Sequence, residues 1–353
     1  MRRLCLILLL CLSLSFSCGA VEAEEEQLID SLPPEAAELM EDIDHHGTGF
    51  FPSLLSLGSK AFERSTEYIS RGLRLCGILL CIVLLCSLCL DPTGNDGIRR
   101  SLGAVGIFVA VTGSLSTLVS LAEQTMDKLR AYSGVLLPVM SSAMAVSGGP
   151  TTAAALHGGT VLFANLLMSF LSRVLIPCVY FYLTLGAAEA ALASKLLGEL
   201  RELVSWLIEK SMRLILYLFT AYLSLTGLIS GRADALAVKA AKAAVSGLVP
   251  VVGSLLSDAS ETMLIGAAVV KNSVGILGLL AILSIVILPF LRVGIQFLLI
   301  KLTSACAGSV GMPEHVQYLK QVSTAMGFLL AMTGICASLF LISMVCYLRV
   351  VNV

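Results

Sequence analysis

Residues 131–172 form the longest uncharged stretch of the chain, AYSGVLLPVMSSAMAVSGGPTTAAALHGGTVLFANLLMSFLS. Lipid cannot satisfy backbone hydrogen-bond donors, so such a stretch in a membrane has to be helical. One crossing needs about 20 residues, and these 42 residues are too many for one. Ser147-Gly148-Gly149-Pro150 and His157-Gly158-Gly159 are both typical of turns. The stretch therefore predicts two crossings or a re-entrant hairpin buried by its neighbours.

The whole chain has the composition of a membrane protein. Of its 353 residues, 57% are hydrophobic and 13% are charged, and the charged share is about half that of a soluble domain. This composition excludes a soluble enzyme and a disordered chain, and a net charge of -1 offers no basic surface to a nucleic acid. Ten acids lie between Glu22 and Asp44, whereas the chain after residue 44 is formally +7. The acidic and basic parts are therefore expected to face different surroundings.

Six further uncharged runs resemble membrane helices: 75–90, 101–122, 174–188, 214–231, 272–291 and 321–348. Together with the first stretch they predict an all-α, polytopic integral membrane protein with about seven transmembrane helices, in a range of roughly six to nine. Arg99 and Arg100 follow the first run, so the positive-inside rule places them in the cytoplasm and the N-terminus outside.

Residues 1–23 predict a cleaved signal peptide. A positive start precedes an apolar core, and small residues precede a cleavage site after Ala23. The alternative is a lipobox ending at Cys18, although Phe16 is bulky where such motifs carry a small residue.

The mature chain divides into two parts. Residues 24–72 predict an acidic extracytoplasmic segment with short amphipathic helices broken at Pro33-Pro34. Residues 73–353 predict the multi-span membrane domain.

Residues 192–213 predict an amphipathic helix. Leucines recur at helical spacing on one face, and charged residues such as Lys195, Glu199 and Arg201 fill the other. Trp206, the single tryptophan, suits an anchor at headgroup level. This helix is expected to lie at the membrane interface, and docking to a partner is the alternative.

Residues 245–256 predict a kinked or re-entrant segment, because glycine and proline recur every third residue in a run too short to cross. The three kink residues are Gly247, Pro250 and Gly253. Asp258 and Glu261 follow, one helical turn apart. As a carboxylate pair they would bind a cation or a proton, and the alternative is that they cap and solvate the next helix.

Isolated charges interrupt the apolar sequence, and an ionisable group deep in a bilayer is a functional hypothesis. Arg173 separates two uncharged runs, and Glu189 is its nearest acidic partner in sequence. A buried pair or a pore-lining role for Arg173 is one hypothesis, and snorkelling to the headgroups is the other. Lys271 and Arg292 bracket a 20-residue run and predict the boundaries of a span.

The sequence contains no nucleotide-binding G-x-x-x-x-G-K-[ST], no H-E-x-x-H and no G-x-S-x-G. His157 and His315 are isolated from any nucleophile by spacing. We therefore expect no enzyme activity, no cofactor and no metal. A GxxxG at residues 227–231 favours close helix association, which is typical of an assembly and compatible with a homo-oligomer.

Three motifs carry a resemblance: VPVVG at 249–253, LSDASE at 256–261 and LPFLR at 288–292. With them, residues 239–303 closely resemble the stage III sporulation protein AE family of endospore-forming bacteria, and the resemblance extends less sharply over residues 30–345.

The resemblance implies a multi-pass protein of the mother-cell membrane around the forespore. It implies a subunit of a secretion-like channel that joins the two compartments and supports forespore development and late sigma factor activity. The implied partners are the lipid bilayer, other products of the stage III operon and, through the channel, stage II sporulation protein Q. The family has no known catalytic residue, so none is implied.

Two functional hypotheses follow. A structural or export-gate-like subunit would depend on its partners and on the kink, with no single charge indispensable. A secondary transporter or permease would instead use Arg173, Glu189, Asp258 and Glu261 in a substrate or ion path. Transporters usually carry matching broken segments in two halves, and only 245–256 is a good candidate.

Overall fold

The computed structural model describes residues 27–40, 50–88, 96–146, 149–248, 253–309 and 313–349, and for 225–248 and 253–273 only the backbone is described. The helices are α1 Pro34–Met40, α2 Phe50–Leu88, α3 Asp96–Val146, α4 Pro150–Phe170, α5 Ile176–Leu192, α6 Lys195–Leu248, α7 Gly253–Ala307 and α8 Pro313–Arg349. The regular structure of these residues is entirely helical, which confirms the all-α prediction. The predicted signal peptide and Cys18 lie outside the described residues.

The acidic leader folds onto the bundle. One helical turn at residues 27–30 ends before Pro33, and α1 begins at Pro34, as the double proline predicts. Leu28 and Leu39 are buried, so α1 packs against α2 and α7 through apolar side chains. Lys128 of α3 lies 2.8 Å from Glu35. This part of the leader is therefore tied to the bundle by both packing and charge.

Helix α3 corrects the predicted spans. Runs 101–122 and 131–172 were expected to be separated by a charged connection, but α3 continues through it for 51 residues. No glycine or proline lies between Ser114 and Ser133, and Glu, Lys and Arg are good helix formers. The charges at Glu123 and Lys128 interrupt the hydropathy of the run without breaking the helix.

One of the two predicted turns is correct. The chain leaves α3 at Val146 and α4 begins at Pro150, so the break falls within Ser147-Gly148-Gly149-Pro150. His157-Gly158-Gly159, in contrast, lies inside α4. Gly159 faces Tyr222 of α6, whose ring occupies the space that a Cβ would need. The glycine therefore serves a close helix contact and not a turn.

A π-helical turn, Leu171–Leu175, joins α4 to α5. Proline 177 has no N–H, and in an α-helix its ring would clash with the carbonyl of Arg173 four residues earlier. The wider turn accommodates the proline, so residues 150–192 continue as one long helical rod without the predicted boundary at Arg173.

Helix α5 ends because Ala193 adopts the left-handed conformation, with φ of 51°. The predicted amphipathic helix 192–213 is therefore not a separate element: Leu192 ends α5, and the remainder is the first part of the 54-residue helix α6. Its Ile208 and Met212 are buried, whereas Leu203 and Trp206 are exposed. The amphipathic stretch thus packs along the bundle with one apolar face uncovered.

The predicted kink falls between α6 and α7. Gly247 lies in the last turn of α6, and Gly253 is the first residue of α7. Pro250 lies outside the described residues, as do the side chains of Asp258 and Glu261 in the first turns of α7.

Helix α8 is central and packs most extensively along α7. Its first turns lie beside the start of α3, where Arg100 and Glu314 approach to 3.4 Å, and Ser304 near the end of α7 reaches Val316. We call this the proximal end of the bundle. At the distal end Ser343 of α8 lies 2.6 Å from Thr160 of α4.

Five helical segments of the described chain are long and apolar enough to cross a membrane. They are Tyr68–Ser87, Gly97–Ala145, Pro150–Leu192, Val274–Ala307 and Pro313–Leu348. Their number supports a multi-pass membrane protein but does not confirm seven spans, because α3 and the α4–α5 rod each merge predicted runs. Residues 214–231 remain a predicted span, since their side chains are described only to residue 224.

Candidate functional site

The candidate site is built on Glu189, in the last turn of α5. Its backbone carbonyl accepts a 2.8 Å hydrogen bond from Ala193, whose left-handed conformation ends the helix. This cap starts the reversal into α6. As a result the next helix returns past the Glu189 side chain and places Arg201 beside it.

The Glu189 carboxylate receives three donors from two other helices. Arg201 of α6 donates through Nε at 2.8 Å to Oε2, and Gln321 of α8 donates to the same oxygen at 2.9 Å. Gln317 of α8 donates to Oε1 at 3.3 Å. The side chains of Arg201 and Glu189 are only 11% and 17% exposed. Hydrogen bonds to a carboxylate are shorter and stronger than those between neutral groups.

Two aromatic side chains complete the surroundings of Arg201. Its guanidinium carbon lies 5.7 Å from the ring centre of Tyr182, within cation–π range. Tyr182 in turn packs edge to face against Phe328 of α8 at 5.5 Å. Burial lowers the pKa of the Arg201 guanidinium, but the hydrogen bond to Glu189 and the interaction with Tyr182 raise it by more, so the net pKa is raised.

Gly198 allows α6 to approach this closely. A Cβ at this position would lie 2.8 Å from Oε1 of Glu189. A cavity of about 190 Å³ lies alongside, lined by Glu189, Gln317 and Gln321 together with Lys195 and Glu314. We call Glu189, Arg201, Gln317, Gln321 and Tyr182 the Glu189 cluster.

The chemistry of the Glu189 cluster suits a structural contact that holds helices together. Its one carboxylate and one guanidinium neutralise each other, and two amide donors of α8 bind further acceptor positions of the carboxylate. Removing one member would leave a buried charge without its partner, which is why such a network holds helices in register. In the part of the chain that the structure describes, no group of three His, Cys, Asp or Glu side chains is arranged for a metal ion.

The structure separates the predicted site residues. Arg173 is exposed in the π-helical turn, and the hypothesis that it pairs with Glu189 is wrong, because Arg201 occupies that position. Arg292 lies inside the 55-residue helix α7 and not at a helix end, and its place at a span boundary stays a prediction. Its guanidinium lies 4.9 Å from the ring centre of Tyr68 on α2. The Gly247, Pro250, Gly253, Asp258 and Glu261 predictions remain untested.

The two histidines predicted to be isolated have polar neighbours. His315 is fully buried, and its Nε2 lies 3.2 Å from the carbonyl of Arg100. His157 lies 3.2 Å from the hydroxyl of Ser141, which is also 3.1 Å from Tyr347. The Ser141 hydroxyl donates its proton to Leu137 in its own helix at 2.6 Å. His157 therefore does not hold that proton in the way a nucleophilic serine requires.

The sequence did not indicate that four residues would surround Glu189: Arg201, Gln317, Gln321 and Tyr182. The spacing of the two glutamines, one helical turn apart near the start of α8, was the available signal. Arg201 lay among several charges on a polar face, and nothing in the order of residues distinguished it from Lys195 or Lys210. Its role depends on how α6 reverses after Ala193.

Comparisons with known proteins give one consistent result. A family model described as stage III sporulation protein AE matches residues 99–350. The chain is also similar to stage III sporulation protein AE of Bacillus subtilis (strain 168), with 20% identity over 247 residues. That match covers 70% of this chain and 62% of the relative, less than two thirds of its length. No solved structure matches.

Proposed function

The chain belongs to the stage III sporulation protein AE family, and from this premise we propose that it is a structural membrane subunit of a secretion-like channel between mother cell and forespore. Membership supports a role in sporulation, and the helices support a multi-pass membrane protein. The channel, its support of forespore development and late sigma factor activity, and the absence of catalysis are parts of the proposal.

The proposed location is the mother-cell membrane that surrounds the forespore. The proposed partners are other products of the stage III operon and, through the channel, stage II sporulation protein Q. A homo-oligomer of this chain is compatible with the proposal. Contacts to these partners would add to those with the lipid bilayer.

The observation that carries the proposal is the extent of the family match. It runs from the first turn of α3 to the end of α8, so it includes the whole Glu189 cluster. In that cluster the Glu189 carboxylate of α5 binds side chains of α6 and α8, which suits a structural subunit. A transporter would need Arg173 and Glu189 in one path, yet one is exposed and the other is bound to Arg201.

The proposed orientation has independent support from α3. Arg100 and Lys128 are 28 residues apart on this helix, about 42 Å at the rise of an α-helix and more than the hydrocarbon thickness of a bilayer. Lys128 binds Glu35 of the leader. An extracytoplasmic leader and a cytoplasmic Arg100 are therefore compatible with one membrane between them.

A fluorescent fusion followed through sporulation, with co-purification from detergent, tests the proposal. Enrichment at the membrane around the forespore together with recovery of stage III and stage II sporulation proteins is the expected result. Uniform fluorescence around vegetative cells, with none of these partners recovered, would overturn it.

Alanine substitutions at Arg173, Asp258 and Glu261 separate the proposal from transport. A structural subunit should keep normal spore yield in each single variant. Abolished spore formation with the assembled complex still recoverable would favour the transporter. Glu189 is left out of this set, because its loss would disturb the fold as well as any path.

A further inference from the structure

A groove separates α6 from α7, and α8 forms its floor. Its cavity volume is about 710 Å³. Met212 of α6 and Phe297 of α7 form its two walls, and Gly327, Ala331 and Ile335 lie along the floor. Small residues one helical turn apart keep this floor open along α8.

The charges of the groove lie near its proximal end. Lys301 is six residues before the end of α7, and Lys320 is seven residues after the start of α8. Both side chains are exposed, and neither has an acidic partner among the described side chains. Glu209 and Arg213 of the α6 wall pair with each other at 3.2 Å. The groove therefore carries a formal charge of about +2 from its two lysines.

Beyond Ser323 and Thr324 the floor of the groove is apolar, and the floor is longer than the hydrocarbon of one membrane leaflet. From Lys320 to Ile335 the floor rises about 22 Å at 1.5 Å per residue, compared with about 15 Å for half of the bilayer hydrocarbon. Phe297, Phe328 and Met212 supply apolar contacts along this length. A ligand that fits must combine an anionic head with a long apolar chain.

The position of the lysines agrees with such a ligand. Both lie about 10 Å from the turn that joins α7 to α8, within reach of the headgroup layer for a lysine that snorkels. The proximal end also contains Arg99 and Arg100, which the positive-inside rule places in the cytoplasm. Basic pockets between membrane helices on that side suit anionic lipid headgroups.

We propose that the groove between α6, α7 and α8 binds an anionic phospholipid from the proximal leaflet, with its phosphate at Lys301 and Lys320. One acyl chain lies along Gly327 and Ala331 between Met212 and Phe297. The lipid fills the gap between α6 and α7, and its phosphate offsets part of the positive charge of the two lysines. It is a built-in lipid site, distinct from the general lipid contact of the exposed helix faces.

Native mass spectrometry of the full chain in an uncharged detergent tests the site, with equimolar phosphatidylglycerol and phosphatidylcholine as probes. We expect a preference for phosphatidylglycerol that falls about tenfold in the Lys301→Gln/Lys320→Gln variant, since each lysine near a membrane surface contributes to anionic lipid binding. Arg74→Gln/Lys210→Gln is the matched control: it removes the same charge from exposed positions on α2 and α6 and should keep the preference.

A variant of the groove floor and a competition experiment with inorganic phosphate also test the lipid site. Ala331→Phe fills the floor while keeping both lysines, so phosphatidylglycerol binding should fall, and excess inorganic phosphate should not displace the lipid. All variants should retain the unfolding midpoint of the parent within the error of the measurement. Equal binding of the two lipids, equal loss in the control variant, or displacement by inorganic phosphate would each overturn the proposal.

Discussion

The Glu189 cluster and the basic groove lie near the same end of the bundle and treat charge in opposite ways. In the cluster, one buried acid receives Arg201 and two glutamine donors from helices α6 and α8. In the groove, Lys301 and Lys320 are exposed beside an apolar floor without an acidic partner among the described side chains. A charged side chain that is paired inside the protein holds its helices in position. A charged side chain without an acidic partner beside an apolar groove instead favours the binding of an anionic ligand.

Glu189→Ala should cause the largest loss of stability, because it removes the acid at the centre of the Glu189 cluster. Arg201, only 11% exposed, would lose its buried counter-ion and keep only the exposed Glu202 at 3.6 Å, and removal of one partner from a buried pair costs about 3 kcal/mol. The free energy of unfolding can be measured by detergent-induced denaturation, with the fluorescence of Trp206 as the signal. Glu199→Ala is the control, because Glu199 is an exposed acid on the same helix, away from the Arg201 guanidinium contacts. Equal losses in the two variants would contradict a bracing role.

Gly198→Val should have the next largest effect. The new side chain would enter the space of the Glu189 carboxylate, which three donors hold in place, and overpacking of this kind costs about 2 kcal/mol. Gly158→Val in α4 is the matched control, since nothing lies within 4 Å of a Cβ there. Both changes alter helix propensity equally, so the difference between their unfolding free energies measures the contact. A difference near zero would show that α6 does not approach the carboxylate closely.

Glu209→Gln should have the smallest effect on stability. Its partner Arg213 is 60% exposed, and exposed pairs one helical turn apart contribute about 0.3–0.5 kcal/mol. The variant should also leave the groove more basic, so phosphatidylglycerol binding should be unchanged or tighter in the native mass spectrometry assay. A stability loss as large as that of Glu189→Ala would contradict the claim that the buried pair contributes more to stability than the exposed pair.

Several features of the fold were predictable because they follow from local chemistry. Apolar runs require helices in lipid, and Ser147-Gly148-Gly149-Pro150 contains both of the residues that interrupt them. The number of spans was less predictable. The hydropathy falls at Glu123 and Lys128, but α3 continues through both residues without a break. Charged residues on one face are compatible with a helix.

The site was only partly predictable for a related reason. Glu189 was singled out because a charge in an apolar run is costly, which is a local argument. Its partner was taken to be Arg173, but the left-handed Ala193 reverses the chain and brings Arg201 closer. Arg201 is 12 residues from Glu189 and pairs with it, and only the reversal at Ala193 makes this separation a contact.

The order of residues by itself determined a helical, membrane-embedded chain, because burying backbone donors in lipid leaves few alternatives. The motifs around Pro250 and Arg292 also indicated its family. Only the tertiary structure decided which charges meet: Glu189 with Arg201, and Lys301 beside Lys320 at an open groove. Such pairings depend on how helices return past one another, and Coulomb energy depends on that distance and not on separation along the chain.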